Sequence, residues 1–464
     1  MEEDGSLRIV FFPWLAFGHM LPFLELSKSL AKRGHRISFL STRRNLKRLP
    51  KIPHDLAPFI HFVYLPLPKV EGLRAAAEST TDVLPDEVQF LKKAFDGLDI
   101  PFSEFLEEAS PKPDWIIHDF GHHWLPPIAS KFNIPCAFLC IVPASFIAFI
   151  GPPSEMKDSS RRTAEQFTKP PQWISFPSSV AYRLHEARLI VESFKANASG
   201  IADIRRFCLT VEGCNFIAFR SCFEFESDWL RLLEELYEKP VIPVGLLPPQ
   251  VQEGSDDVHG NARIFEWLDK QAPNTVAYAA LGSEAMLSVE LLHELALGLE
   301  LSKVPFLWAL RKPASMAGDD ADILPEGFLE RTGGQGIVAM GWIPQIKVLA
   351  HASVGGFLTH SGWGSIIEGL RFGHGLVLLP ISVDQGLNAR IMEEKKIGLE
   401  IQRNEEDGSF NRESVAKAIR LVMVEEEGEL FRCKAMELQR LFADRDSQER
   451  YVEDFILHLR YHRG

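Results

Sequence analysis

The chain has 464 residues, with 50 Lys and Arg against 63 Asp and Glu, a formal charge of −13. That length exceeds what one ordinary hydrophobic core organises, so two domains are expected; 46% hydrophobic and 24% charged residues fit a globular protein. An acidic chain without Lys/Arg runs excludes nucleic acid and anionic membrane as main partners, and an anionic ligand would need a locally positive site.

The start, Met1-Glu2-Glu3-Asp4-Gly5, is acidic where a secretory signal is basic. The apolar run from Ile9 to Phe17 contains Pro13 and is far short of the roughly 20 residues that span a bilayer. No stable membrane insertion is expected. Arg8 to Phe12 reads as a strand and is followed by a loop through His19. A helix is predicted from about Leu21 to Arg33, with Leu21, Leu24, Leu26 and Leu30 supplying its period and Gly34 stopping it. A second strand follows at Arg36–Ser41 and a later one at Trp115-Ile116-Ile117, ending at His118-Asp119. This βαβ start predicts a parallel sheet with helices on both faces.

Segment 152–172 is polar and proline-bearing and reads as a mobile loop. Asn197-Ala198-Ser199 is a glycosylation sequon, without meaning unless the chain is secreted. The six cysteines, at positions 136, 140, 208, 214, 222 and 433, form no CxxC pair and read as unpaired thiols of a cytoplasmic protein. Val241–Asp257, rich in Pro, Gly and acidic residues, has linker composition.

The second half repeats the rhythm. Strands are predicted at Thr275–Leu281, Pro305–Leu310, Gly336–Met340, Gly355–Thr359 and Leu376–Leu379. The intervening helices are Ser288–Ser302, capped by Ser288, then Pro344–Ala350, Ser365–Phe372 and Gln385–Lys395. A last helix carries Val452, Phe455, Ile456 and Leu459 on one stripe, so it should pack against something. The expected organisation is an N-terminal domain over 1–240, a linker over 241–257, a C-terminal domain over 258–445 and a helix over 446–464 packing back on the first domain.

Open parallel sheets bind ligands beyond the C-terminal ends of their strands. His19 and Asp119 stand at such ends. A histidine backed by a carboxylate is a general-base pair; a loop histidine beside a solvated aspartate is the alternative that spacing leaves open. His118 and His122 are four apart, but Gly121 and the preceding strand argue against a ligand-bearing helix, so no metal is expected. Asp319-Asp320-Ala321-Asp322 reads as an exposed loop, and no phosphate loop of the GxxxxGK[ST] type occurs.

The densest stretch runs from Trp342 to Gln385. It puts Thr359-His360-Ser361-Gly362 at a strand end and Ser365 at a helix start, where backbone N–H groups and the helix dipole can face a phosphate. Trp342 offers a stacking face for a base, Glu368 an acceptor for ribose hydroxyls, and Asp384-Gln385 paired polar groups for a sugar. Caps and core aromatics are the alternative, which explains poorly so many polar residues at successive strand ends.

This stretch resembles the signature box of plant secondary-metabolite UDP-glycosyltransferases of family 1, which runs from a Trp to a terminal Asp-Gln. The resemblance implies an α/β fold of two Rossmann-like doubly wound domains facing each other across a cleft (GT-B type), the first binding the acceptor and the second the donor, with a metal-free, inverting mechanism. It matches Trp342 to uracil stacking, Gln345 to a uracil contact and Glu368 to the ribose. It matches His360 and Ser365 to the pyrophosphate, and Trp363, Asp384 and Gln385 to the transferred sugar. Ser283 matches a phosphate-touching turn, and His19 with Asp119 the catalytic pair. Phe17, Met20, Phe120, His122 and Trp124, near the base, are the expected acceptor wall.

Ser361 stands where the box has Cys, Gly375 where it has Pro, and Gly364 where it has the Asn after Trp. Loss of that Asn predicts weaker donor binding, which Gly364→Asn should restore. Pro13-Trp14-Leu15-Ala16-Phe17-Gly18-His19 and Gly282-Ser283-Glu284 look like the branch that glycosylates existing sugars. The expected reaction moves glucose from UDP-glucose, with no bound cofactor, to a hydroxyl of a flavonoid or terpenoid glycoside, forming a 1,2-linked disaccharide. The enzyme is expected to be a monomer. The competing readings are UDP-rhamnose or UDP-xylose as donor, an epimerase of the same fold, or a UDP-sugar-binding protein of weakened activity.

Overall fold

Short runs of β-branched, aromatic and small apolar residues become strands buried on both faces, as parallel sheets require. The first half supplies β1 (Arg8–Phe12), β2 (Arg36–Ser41), β3 (Ile60–Tyr64), β4 (Trp115–His118), β5 (Cys136–Cys140), β6 (Phe216–Phe219) and β7 (Val241–Pro243). They pair in the order β3-β2-β1-β4-β5-β6-β7. The second half supplies β8 (Val276–Ala280), β9 (Phe306–Leu310), β10 (Gly336–Met340), β11 (Val354–Thr359), β12 (Gly375–Leu378) and β13 (Gly398–Glu400), ordered β10-β9-β8-β11-β12-β13. Every pairing is parallel. This computed structural model describes residues 5–158, 161–249, 258–282, 285–311 and 323–463. Ser283 and Glu284 of the Gly282-Ser283-Glu284 turn, the end of the expected linker (250–257) and the Asp319–Asp322 cluster lie outside them.

Each sheet reverses its winding once. β1 pairs with β4, aligning Phe12 with His118, and β8 pairs with β11, aligning Ala280 with Thr359. Ligand crevices open at such switch points, just past the strand ends. The loops holding His19 and Asp119 therefore emerge side by side from one sheet, as do those holding Gly282 and His360 from the other.

Local departures from the sequence expectation have local causes. The first helix runs Phe17–Ala31, four residues earlier than the hydrophobic period suggests. Its N-cap is Ala16, without a side-chain cap, and Pro22 sits inside it, so neither usual start signal marks its beginning. The box helix runs Trp363–Arg371 from a Gly362 cap, making Ser365 its third residue instead of its first. The start of the expected linker, Val241–Pro243, is the edge strand of the first sheet. Segment 152–172 contains a helix at Pro153–Asp158 and a 3₁₀ turn at Ala164–Phe167, pinned where the buried Phe167 ring lies 4.5 Å beneath the Arg161 guanidinium. Helix Val289–Ser302 is capped as expected, the Ser288 hydroxyl accepting from Leu291 N–H.

The final helix, Arg445–Tyr461, buries Val452, Phe455, Ile456 and Leu459 with Leu7, Ile9, Phe11 and Trp115 of the first sheet. Trp115 Nε1–H donates to Leu459 O at 2.9 Å. Full burial of one such side chain is worth about 1.5–3 kcal/mol, so this stripe clamps the C-terminus firmly to the first half.

Candidate functional site

The turn after β1 folds back tightly, Ala16 N–H donating to Trp14 O at 2.8 Å, and carries His19 into the first turn of helix Phe17–Ala31. Asp119 follows β4 and is 1% exposed. Its Oδ2 accepts from Trp14 N–H at 3.0 Å and lies 2.7 Å from His19 Nδ1, while Oδ1 accepts from Phe120 N–H at 2.7 Å. A carboxylate held by two backbone amides is an acceptor that cannot swing away. It places the imidazole proton on Nδ1 and the basic lone pair on Nε2. The His19 side chain is 21% exposed, so a substrate can reach it.

One of the five residues predicted to wall the acceptor lies against His19: the Phe120 ring centroid is 5.4 Å from that of His19. Phe17, two positions before His19 on the same helix, is half-buried beneath the Arg48 guanidinium and packs toward the core under the sheet. The other three are turned into the core. Met20 is one helix position past His19, which rotates it onto the sheet, where it is fully buried and accepts from the Ser41 hydroxyl. His122 is turned under the loop, its Nδ1 accepting from Asp119 N–H at 3.2 Å and its ring buried among Phe12, Phe95 and Trp124. Trp124 packs on Phe12, Phe95 and Phe102. Burial pushes the His118 imidazole down to about 4 and holds that of His122 well below the usual imidazole value, so both are neutral core residues.

The loop behind Asp119 is anchored from helix Asp203–Gly213. Arg206, fully buried, donates to Gly121 O at 3.0 Å while paired with Asp96, and the Thr210 hydroxyl donates to Phe120 O at 2.9 Å. Spacing gave no hint of this anchor, because the partners are far apart in the chain.

At the second switch point, glycine is required twice. Gly282 has φ +78°, and a Cβ there would lie 2.7 Å from His360 Cε1; a Cβ at Gly362 would lie 2.5 Å from His360 Nε2. The ring lies between them. Burial lowers it to about 4, so His360 at neutral pH is an uncharged hydrogen-bonding group. Gly362 then caps helix Trp363–Arg371, whose first amides, at Trp363, Gly364 and Ser365, lack intrahelical acceptors. Such an end attracts anions.

One turn along, Glu368 accepts from Gln345 Nε2–H at 2.5 Å, and Gln345 Oε1 accepts from the Tyr278 hydroxyl at 3.4 Å. Burial pushes the Glu368 carboxyl up. Trp342, just before helix Gln345–Leu349, is 65% exposed, a bare aromatic face beside these polar groups. Trp363 is different. It is 3% exposed, its Nε1–H donates to Arg220 O at 2.8 Å, and its ring stacks on Phe225. The side chain is consumed in core packing, which leaves only its backbone amide for a ligand and corrects the sugar-holding expectation for the ring.

Asp384 stands at the N-cap position of helix Gln385–Glu394 without capping it through its side chain; its Oδ2 instead accepts from Asn388 Nδ2–H at 2.6 Å. Burial raises its carboxyl to about 6 against the opposing pull of the Asn388 hydrogen bond, its own backbone and, least of the four, the coulombic influence an imidazolium at His19 would exert. The two candidate sites, one from each half, are thus within electrostatic range of each other. Gln385 Oε1 accepts from Ile381 N–H at 2.9 Å and Ser382 N–H at 3.0 Å, bracing the loop. The loop is tied across by Tyr182, whose hydroxyl donates to Val383 O at 3.0 Å.

Residues 257–450 match the family model described as UDP-glucoronosyl and UDP-glucosyl transferase. The UDP-glycosyltransferase 91D1 of Stevia rebaudiana is 47% identical, over 99% of this chain and 93% of that protein. The soyasaponin III rhamnosyltransferase of Glycine max is 42% identical, over 98% and 96%. The anthocyanidin-3-O-glucoside rhamnosyltransferase of Petunia hybrida is 33% identical, again over 98% and 96%. Among solved structures, a Polygonum tinctorium UDP-glucosyltransferase in complex with 3,4-dichloroaniline superposes with a TM-score of 0.79 at 26% identity, covering 98% of each chain.

Proposed function

This chain belongs to the plant family-1 UDP-glycosyltransferases, and from that premise we propose that it transfers glucose from UDP-glucose to a hydroxyl of a small-molecule glycoside. The observation that carries the catalytic part is the 2.7 Å contact of His19 Nδ1 with a doubly anchored Asp119 carboxylate, in electrostatic reach of Asp384. In this reading the acceptor O–H gives its proton to His19 Nε2 as its oxygen attacks the anomeric carbon. The bond from that carbon to the UDP oxygen breaks, and UDP leaves with the electron pair. Asp119 stabilises the imidazolium. One displacement at one carbon inverts its configuration.

Donor contacts follow the same logic. Trp342 stacks the base, Gln345 and Glu368 bond uracil and ribose, and His360 with the amides of Trp363, Gly364 and Ser365 hold the pyrophosphate. Asp384 and Gln385 take the sugar hydroxyls, with Gln385 exchanging its loop bonds for them. Phe120 gives the acceptor apolar contact beside the base. The cysteines among the described residues are all unpaired, which supports a reducing compartment, the cytoplasm, and the working unit is a monomer.

A glycoside acceptor is supported by the names of two relatives, which act on a soyasaponin and on an anthocyanidin glucoside. Both are rhamnosyltransferases, and this favours UDP-rhamnose as the second reading of the donor. The deciding experiment pairs UDP-glucose, UDP-rhamnose and UDP-xylose with matched aglycones and monoglucosides, read by mass spectrometry. Glucose addition to the monoglucosides is expected. Transfer to aglycones alone would refute the acceptor assignment, and transfer only from UDP-rhamnose the donor assignment.

A further inference from the structure

A buried cation without an anionic partner is costly, and proteins usually supply the counter-charge nearby. Arg206 has Asp96, and Arg390 has Glu186 and Glu400. Arg220, at the end of β6, is 4% exposed and has no carboxylate within ion-pair distance among the described residues. Its guanidinium is nonetheless rigidly held. Nε donates to Leu246 O at 2.8 Å and Nη2 to Leu247 O at 3.3 Å. Those two bonds fix the plane of the fork and leave Nη1 with no hydrogen-bond acceptor among the described residues.

Nη1 is aimed at the box helix. A Cβ built on Gly364, the second residue of helix Trp363–Arg371, would lie 3.5 Å from Arg220 Nη1. The same residue is tied to that helix through its backbone, Trp363 Nε1–H donating to Arg220 O at 2.8 Å. A guanidinium from the first half thus borders the space into which a side chain at position 364 would grow, beside amides that also lack acceptors.

We infer that Arg220 is a donor-binding residue whose Nη1 hydrogen-bonds the diphosphate of the nucleotide sugar, supplying from the N-terminal half the contact that Gly364 cannot make. The inference rests on the proposed nucleotide-sugar donor. Burial brings the guanidinium only down to about 10, so it is charged at neutral pH. Glu368 and Glu25 attract it only from beyond ion-pair distance, so the diphosphate would be its contacting counter-ion, and a charged guanidinium N–H suits a phosphate oxygen. Donor binding would then bond the two halves to one another.

Titration calorimetry with uridine, UMP and UDP tests this. Charge-assisted bonds of this kind contribute roughly ten- to a hundredfold in affinity, so Arg220→Met should weaken UDP by that factor and leave uridine unchanged. Arg220→Met also gives up the bonds to Leu246 and Leu247, so Arg220→Lys, which keeps the charge but loses the fork, serves as the companion. It should weaken UDP less than Met does, again sparing uridine, and it decides the matter alone if Arg220→Met does not fold. Unchanged UDP affinity in the folded variants, or equal weakening of uridine and UDP, would overturn the inference while leaving the donor reading intact. Failure of the unaltered protein to bind UDP would instead remove the donor reading, and this inference with it.

Discussion

Replacing Asp119 by Asn tests whether His19 and Asp119 act as one unit, and the structure sets the expected result. The carboxylate receives three donors: Trp14 N–H and His19 Nδ1–H at Oδ2, and Phe120 N–H at Oδ1. An amide has one oxygen to offer. If that oxygen faces His19, the new NH₂ meets Phe120 N–H, donor against donor, at a cost of about 1–3 kcal/mol for a buried unsatisfied group. If it faces Phe120, the NH₂ meets Trp14 N–H, and His19 must turn its Nδ1 lone pair to the amide. The imidazole proton then moves to Nε2, and the base is lost. Either arrangement removes the charge that stabilises the imidazolium. Turnover should fall by about 10²–10⁴, or roughly 3–5 kcal/mol at about 1.36 per decade. Asp119→Asn should still exceed His19→Ala, because its proton acceptor is displaced and not deleted. Product formation by mass spectrometry gives kcat, and calorimetry with UDP should find unchanged affinity for both variants. A kcat for Asp119→Asn within a few-fold of the unaltered protein would refute the general-base pair.

Trp342→Ala removes a face that is 65% exposed, so folding should be unaffected while uridine and UDP weaken together by about 1–3 kcal/mol in calorimetry. Equal binding in the variant would exclude base stacking there. The Asp384 carboxyl, raised from 3.8 to about 6, holds its proton more tightly folded than unfolded. Its stabilising effect is therefore full below about pH 4 and lost as pH rises through about 6. Asp384→Asn should flatten the decline in melting temperature across that window, and an unchanged profile would count against the burial effect. Gly364→Asn, which the family pattern alone predicts to tighten donor binding, should give no gain in UDP affinity, because its side chain starts in van der Waals contact with Arg220 Nη1 and competes with the phosphate for that donor; tighter binding would contradict this reading.

Strand ends were legible in the sequence and side-chain directions were not. β1, β2 and β10 begin and end where apolar runs and flanking turn residues suggest, because a short apolar run bounded by turn residues declares a strand whether it is central, as β1, or at the sheet edge, as β10. The Trp-to-Gln box was legible for the same reason, its polar residues standing at successive strand ends. Which way those residues point depends on neighbours distant in the chain. Met20 and His19 are adjacent, yet one faces the sheet and the other the cleft. Trp363 reads as a ligand residue until Phe225 and Phe442, from elements far away, enclose it. Arg220 went unnoticed although it directly follows a strand, since nothing local distinguishes a cation that is buried from one that is solvated. Only the carbonyls of Leu246 and Leu247 and the approach of Gly364 do so.

A chain with a formal charge of −13 that takes an anionic substrate must concentrate positive potential where the anion sits. The arrangement at the second switch point does this with little formal charge. His360 is neutral, lowered to about 4 by burial, and contributes a dipole. The amides of Trp363, Gly364 and Ser365 add partial charges that need no counter-ion and hardly vary with pH. Glu368, one turn away, is raised by the same burial, while the Gln345 hydrogen bond and the charges of Arg220 and Arg371 oppose the shift. Against that background one guanidinium carries unusual weight, because it is desolvated before the ligand arrives and, among the described residues, Glu368 and Glu25 attract it only from beyond ion-pair distance. Arg220 comes from the first half of the chain and the amides from the second, so an anion between them is held only when the halves are together. His19 and Asp384 lie within electrostatic range across the same boundary. The geometry that binds the donor's charge is thus the geometry that brings the base to the sugar, and reagents entering separately become reactive only once the cleft is assembled around both.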